Sequence, residues 1–320
     1  KDNGMMRTNL SAQDITPAMG MGWNIGNSLE QTGAGSIETM TDAEKAALTD
    51  ADWVKGYETN AGNPVSTQKL FAGLKRYGIN TIRLAMYTNK SEGYGPDAVN
   101  KVREGVKYAT ELGMYVIIDW HILNDGNPNQ HKSEAKKFFT KMSKKYGGQK
   151  NVIYEICNEP NGNVTWNKQI KPYAKTIVKT IRKHSKNAVI VIGTPTWSQD
   201  VDVVAQSPLK GKNLMYALHF YAGTHKEWNQ EKLKTAHKKG LPVMVTEFSI
   251  CDASGNGALD KASGNQWLRL LDRYNISYTA WSLCNKNESS ALIASTCSKT
   301  SGWTNGDLSA AGKWYFNKTK

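Results

Sequence analysis

Two glutamates stand where short apolar runs end: Glu159 in YEICNEP (154–160) and Glu247 in VMVTEF (243–248). A carboxyl group at the mouth of a strand is half of the apparatus for cleaving a glycosidic bond. One carboxyl protonates the leaving oxygen while a second attacks the anomeric carbon or activates water. The 87 residues between them must then fold so that both acids face one cleft.

The chain alternates short apolar runs with amphipathic stretches. Strands are predicted at 20–25, 79–84, 114–120, 152–158, 188–193, 214–220, 241–247 and 277–283. Most are β-branched or aromatic-rich and nearly continuously apolar, as strands buried on both faces should be. Helical stretches fall at 66–77, 96–112, 131–146, 167–184, 229–239 and 264–274, with a weaker one near 200–206 and a last one at about 308–317. Ser66, Asp97 and Asn229 stand at or near helix starts, and Gly78, Gly113 and Gly240 close helices. Eight such alternations with no break in composition predict an α/β fold, a single (β/α)8 TIM barrel over 1–320. A long polar insertion at about 28–65 is expected to form a lobe over one end. An open doubly wound sheet is the rival, but Gly20, Gly22 and Gly26 lack the spacing of its phosphate-binding turn.

In a barrel of this kind chemistry collects at the C-terminal ends of the strands. Those ends carry Arg83, Trp120–His121, Asn158–Glu159, Thr196–Trp197, His219–Tyr221, Glu247 and Trp281. Singly each has a plain structural reading: an arginine in a salt bridge, a satisfied histidine, an aromatic lid on the core. Glu155, in the middle of the fourth strand, reads as a structural acid. Jointly, polar, titratable and aromatic groups recur at one topological position seven times, which packing alone does not explain.

The bulk numbers fit this picture. A 39% hydrophobic chain with 10 Trp, 14 Tyr and 6 Phe can fill a sizeable core, and most of the Trp are expected to be packing residues. Lys and Arg (41) exceed Asp and Glu (28), for a net charge of +13. The lysines are scattered along helical stretches, as at Lys132, Lys136, Lys137, Lys141, Lys144 and Lys145, which is the pattern of a solvated helix face. Nucleic acid is not implied. No apolar run approaches the ~18 residues of a membrane span. The four cysteines show no CxxC or Cys/His metal spacing. Cys157 reads as a small buried hydrophobe, while Cys284 and Cys297 flank a loop and could pair as a disulfide. The start at Lys1 without a signal segment is what a mature, trimmed product would have.

The segments NTIRLA, YVIIDWH, YEICNEPNG, ALHFYAGTH, VMVTEF and AWSLCNKNESSAL closely resemble glycoside hydrolase family 5, of the clan with catalytic carboxylates on strands four and seven. From about 115 to 293 the chain is most similar to bacterial endo-β-1,4-glucanases. GWNIGNSLE and GYETNAGNP look more like a neighbouring cellulase subgroup. The resemblance implies Glu159 as general acid/base and Glu247 as nucleophile in a retaining double displacement. Arg83 would donate to Glu247 and keep it ionised, and Tyr221 would hydrogen-bond the same carboxylate. Asn158 would bind the sugar 2-hydroxyl, and His121 and His219 would line the cleft, His219 near the acid/base. Trp281 would form the platform at subsite −1, Lys286 and Glu288 would bind the next sugar, and Trp197 would wall a further subsite. Two departures are visible. Phe248–Ser249 replaces the Trp-Gly that follows the nucleophile in many relatives, and Cys157 replaces an Ala before Asn158; both bear on packing behind the carboxylates.

The expected protein is a secreted monomer that cuts internal bonds of a β-1,4-glucan without metal or cofactor, with no nucleic-acid or membrane partner. No carbohydrate-binding module is visible in these residues, so crystalline cellulose should be attacked poorly unless the natural protein carries one elsewhere. Mannan and xylan are the rival substrates, because one barrel serves all three through a few loop contacts. A non-catalytic carbohydrate-binding barrel should have lost a carboxylate. A metallohydrolase built on Asp119 and His121 lacks evident further ligands.

Overall fold

The computed structural model describes residues 15–29, 43, 62–64 and 66–319. Most of the polar lobe expected at 28–65 therefore lies outside the described residues. Eight parallel strands close in sequential order into a barrel: β1 (Met21–Ile25), β2 (Ile79–Tyr87), β3 (Tyr115–His121), β4 (Val152–Glu155), β5 (Ile190–Ile192), β6 (Leu214–Tyr221), β7 (Val243–Ser249) and β8 (Tyr278–Ala280). Around them lie α1 (Ile15–Met19), α2 (Gln68–Tyr77), α3 (Pro96–Glu111), α4 (Lys132–Tyr146), α5 (Lys171–Arg182), α6 (Val201–Val204), α7 (Glu227–Lys238), α8 (Lys261–Arg273) and α9 (Ala310–Thr319).

Strand parity sorts the side chains. On β3, Val116, Ile118 and Trp120 pack outward in the main core, while Tyr115 and Ile117 point into the barrel with Ile153, Val191, Met215, Ala217 and Met244. The inner cluster is small and apolar only toward the N-terminal ends of the strands. There α1, which the sequence pattern does not announce, closes the barrel: Ile15 and Met19 join the inner cluster. Asn80 donates to the Ala18 carbonyl (2.7 Å) and Thr81 to the Met19 carbonyl (2.6 Å), fixing the plug to β2. Closed below by α1 and packed around by helices, the described barrel opens at its C-terminal face.

Helix ends follow local chemistry. The Thr67 hydroxyl, not Ser66, caps α2 by accepting from Leu70 N, and Gly78 takes the left-handed φ of 105° that releases the chain into β2. Asn229 is no cap: α7 begins two residues earlier, and the buried Asn229 amide donates to Gln199 (3.1 Å). The lysines of α4 lie mostly on its solvent side, with Phe138, Phe139 and Met142 facing inward. Among the described residues no helix is long and apolar enough to cross a membrane.

The four cysteines are buried and free. The Cys284–Cys297 disulfide that the loop allowed is thus corrected. Each sulfur takes a different backbone donor, Cys284 from Lys286 and Cys297 from Lys299, and burial pushes both thiols up. Cys157 is fully buried, as its strand setting suggests.

Candidate active site

The polar layer begins where the inner apolar cluster stops. Arg83 projects from β2 into the barrel and is fully buried. Its Nε (2.8 Å) and Nη2 (2.5 Å) both donate to Glu155 Oε1, and Nη2 also reaches Asn158 Oδ1 (2.6 Å) and Asp119 Oδ2 (3.0 Å). Nη1 donates to Asn24 Oδ1 (2.9 Å) and Glu247 Oε1 (3.0 Å). Only a planar fork of five donors can serve so many acceptors at once. Burial pushes Asp119 and Glu155 up to about 7, against the opposing pull of Arg83.

Glu247 reaches this layer through a kink in β7. Val243, Val245 and Phe248 pack outward, whereas Met244 points inward. Strict alternation would send Glu247 outward with Val245. Instead the register with β8 shifts between Val245 and Phe248, and that with β6 between Ala217 and His219. The extra residue lets consecutive Thr246 and Glu247 both serve the interior, the re-aiming that a bulge performs. Thr246 Oγ1 meets His219 Nε2 at 2.7 Å. Glu247 Oε2 accepts from the Tyr221 hydroxyl at 2.7 Å, so its two oxygens are held by two different donors. Phe248 turns outward against Phe220, Tyr278 and Tyr315.

Glu159 follows β4 and is held by His219, whose Nδ1 lies 2.8 Å from Oε1. Burial lifts the Glu159 carboxyl to about 7, with His121 and Arg83 opposing. Burial likewise lowers His219 and His121 to about 4, so both rings are neutral near pH 7. His121 Nδ1 lies 2.5 Å from Asp119 Oδ2, so that carboxyl fixes the orientation of the ring.

Above this layer lies a cleft of about 600 Å³. Nine of the eleven residues singled out from sequence line it: His121, Glu159, Trp197, His219, Tyr221, Glu247, Trp281, Lys286 and Glu288. The other two, Arg83 and Asn158, lie under its floor and are fully buried. Asn158 spends its carbonyl on Arg83 and donates to the Ile122 carbonyl (2.9 Å), with its amide nitrogen 3.4 Å from His121 Nε2. Sequence reasoning passed over Asn24 and Thr246, weighed Asp119 only as a metal ligand, and set Glu155 aside as structural. The available signal was a polar or charged residue inside an otherwise apolar strand, as in VIYEI and VIIDW. Tyr87 and His225 also line the cleft.

Two backbone features shape the walls. The Trp281 ring lies parallel to His121 at 5.7 Å and rests on Gly26, where an added Cβ would fall 2.2 Å from ring carbon Cη2. Gly26→Ala is therefore expected to push the indole off its seat and lower kcat/KM roughly 10- to 100-fold, the penalty of a misplaced substrate platform. Steady-state kinetics on a fold-checked variant would measure this. Unchanged kinetics would mean that Trp281 is not held from below. On the opposite wall, Thr196, Trp197 and Ser198 all adopt left-handed φ of 53–59°. Such a conformation costs about 1–2 kcal/mol per residue, and strain of this kind collects at functional sites. Hydrogen bonds from Trp197 N to Pro160 O (2.9 Å) and from Ser198 Oγ to Asn158 O (2.6 Å) hold the turn. They leave the Trp197 side chain 45% exposed at the cleft.

One ligand atom each from Glu159, His219 and Glu247 lies within 4.8 Å of the others, a spacing that a cation could bridge. All three residues are already engaged: Glu247 by Arg83 and Tyr221, and His219 by Glu159 and Thr246. A metal would have to displace these bonds beside a fixed guanidinium cation. The donor set fits proton transfer better.

Comparison with known proteins agrees with this site. The sequence model for cellulase (glycosyl hydrolase family 5) matches residues 42–287. An endoglucanase of Clostridium saccharobutylicum is 49% identical over 240 residues, 74% of this chain and 53% of that protein. The solved structure of the cellulase Cel5C_n superposes with a TM-score of 0.73 at 39% identity, covering 79% of this chain and 81% of that one. The Thermobifida fusca endoglucanase Cel5A catalytic domain, solved with cellotetraose, gives a TM-score of 0.75 at 29% identity, covering 94% and 91%. The chain spans about half the length of the curated relatives it matches. With the barrel, the paired carboxylates and the sequence match in agreement, the chain belongs to glycosyl hydrolase family 5, the cellulase family.

Proposed function

We propose that the protein is a retaining endo-β-1,4-glucanase. The observation that carries this reading is the separation of the two carboxylates: an oxygen of Glu159 and one of Glu247 lie within 4.8 Å of each other. Retaining pairs stand about 5–5.5 Å apart, whereas inverting pairs need about 6.5–9.5 Å to admit a water. With His219 on Glu159 Oε1, Oε2 is left for the leaving group. Glu247, held on both oxygens, attacks C1 as Glu159 protonates the departing oxygen. A glycosyl ester forms on Glu247. Glu159 then takes a proton from the incoming water, the task of an acid poised near neutrality.

Arg83 and Tyr221 act by fixing the nucleophile, and Asn158 and His121 by bracing the floor on which the −1 sugar rests. Trp281 is the stacking platform for that sugar. Lys286 and Glu288 bind its neighbour, and Trp197 walls the leaving-group side. The substrate follows from the relatives named endoglucanase and from the cellotetraose held by one structural neighbour. Action outside the cell, as a monomer, fits a polymeric substrate.

The rate should track the proton on Glu159. Its carboxyl sits at about 7, so the competent protonated form is full below that value. The form is lost as pH rises through it, and kcat/KM should fall tenfold per unit on the alkaline side. Glu159→Gln should erase this limb. A limb that survives the substitution would belong to another group. The substrate itself is tested with carboxymethylcellulose, barley glucan, mannan and xylan. Fragments from the two glucans alone support the reading, and preferential cleavage of mannan or xylan would replace it.

A further inference from the structure

Three large hydrophobic side chains are substantially exposed among the described residues: Trp197, Val203 and Trp228. Trp197 lines the cleft, and Val203 belongs to the short α6 just beyond it. Trp228, in the first turn of α7, is the most exposed at 55%. Neither the chemistry of the carboxylates nor the packing of the barrel uses it.

Its surroundings hold it still. Lys232, one turn along α7, places Nζ 4.7 Å from the centre of the Trp228 ring, within cation–π range. Lys232 is itself fixed to Asp200 Oδ1 at 2.6 Å, and Asp200 Oδ2 accepts from the Thr196 hydroxyl at 2.6 Å. Thr196 is the neighbour of Trp197 on the left-handed turn. Trp228 also makes an edge-to-face contact with His225, with ring centres 6.5 Å apart and planes at 68°. His225 lines the cleft. Its Nδ1 accepts from Tyr221 N (2.8 Å) and its carbonyl accepts from Trp267 Nε1 (2.7 Å), so its position is set from two sides. One braced rim thus runs from Trp197 through Asp200 and Lys232 to Trp228, and returns to the cleft at His225.

This rim stands over β5 and β6, beside the acid/base. Trp281, Lys286 and Glu288 follow β8, on the other side of the two carboxylates. A chain bound with its glycone end on Trp281 therefore leaves the cleft past Trp197 and His225. Among the described residues, the exposed indole that borders His225 outside the cleft is that of Trp228. Sugar rings offer flat C–H faces that stack on indole, and a ring already held in place needs little further ordering to bind one.

We propose that Trp228 is a distal subsite on the leaving-group side, which stacks a glucosyl ring of a β-1,4-glucan beyond the cleft and so favours long chains over short ones. This rests on the glucanase reading given above. Its consequence is a length dependence located at one residue, in which Lys232 and Asp200 act as supports for the ring.

The test is kcat/KM for wild type, Trp228→Ala and Trp228→Tyr on an aryl cellobioside and on cellotriose to cellohexaose. Trp228→Ala should lose on the order of five- to tenfold on cellohexaose, the scale of one aromatic contact. The aryl cellobioside, too short to reach the rim, should be unaffected. Trp228→Tyr should restore most of the loss. An equal change on short and long substrates, or no change on cellohexaose, would overturn the proposal. So would a wild-type dimer in sedimentation that Trp228→Ala converts to a monomer, because the rim would then be an interface between copies. Failure of the wild type to cleave any cello-oligosaccharide would instead strike at the glucanase reading itself.

Discussion

Glu247→Gln is expected to abolish turnover, with a fall in kcat on the order of 10⁴-fold or more, while leaving the fold intact. The amide has the same shape, and Gln Oε1 can accept from either Arg83 or Tyr221, the two donors that hold the carboxylate now. What it cannot do is form the glycosyl ester. Losing a nucleophile from a unit of cooperating groups costs nearly the whole covalent contribution. Far-ultraviolet circular dichroism and thermal melting should match the wild type within a few degrees. The bound form should keep its affinity for a cello-oligosaccharide, because the cleft walls are untouched. Substantial residual hydrolysis in purified protein would mean that Glu247 is not the nucleophile.

Arg83→Ala should produce the second large effect, on stability as well as rate. Among the described residues, the guanidinium is the cation in contact with Asp119, Glu155 and Glu247. It is also the chief influence holding Asp119 and Glu155 down against the burial that raises them. Removing one partner of a buried charge cluster costs about 3–5 kcal/mol. For a chain of this size that corresponds to a fall in melting temperature on the order of 10 °C. Activity should fall with it, since Glu247 would lose the donor to Oε1. Arg83→Lys keeps the charge but not the fork, and should recover part of the stability and less of the rate. A melting temperature unchanged in Arg83→Ala would mean that the buried acids are neutral without its help.

The barrel was legible because strands covered on both faces must be apolar throughout. Runs such as VIIDW and VIYEI therefore stand out, and their ends fix the cleft. Strand limits were less legible. The expected fourth strand ran to Asn158, whereas β4 ends at Glu155. The segment on to Glu159 keeps only single backbone bonds, from Ile156 N to Val191 O and from Asn158 N to Trp120 O (both 3.0 Å). Glu247 was placed at the end of the seventh strand, yet β7 extends to Ser249 and kinks around Thr246–Glu247. A bulge leaves no composition signal, because it is set by pairing with two neighbouring strands. The floor of charged groups was hidden for a related reason. Asp119 and Glu155 are directly opposed on β3 and β4, and only closure of the barrel brings Arg83 of β2 onto both. The α1 plug depends on side-chain bonds from Asn80 and Thr81 to its carbonyls, 62 positions away in each case, which periodicity cannot express. The left-handed turn at 196–198 contains no glycine to mark it.

The central claim is that Glu159 and Glu247 work by double displacement across a gap too narrow for an inverting water. The most direct measurement is the configuration of the first-formed product. Proton NMR of the reducing end, taken during early hydrolysis of a soluble cello-oligosaccharide and before mutarotation, reads it at once. The account predicts the β-anomer, retained from the substrate. The α-anomer as first product would contradict it.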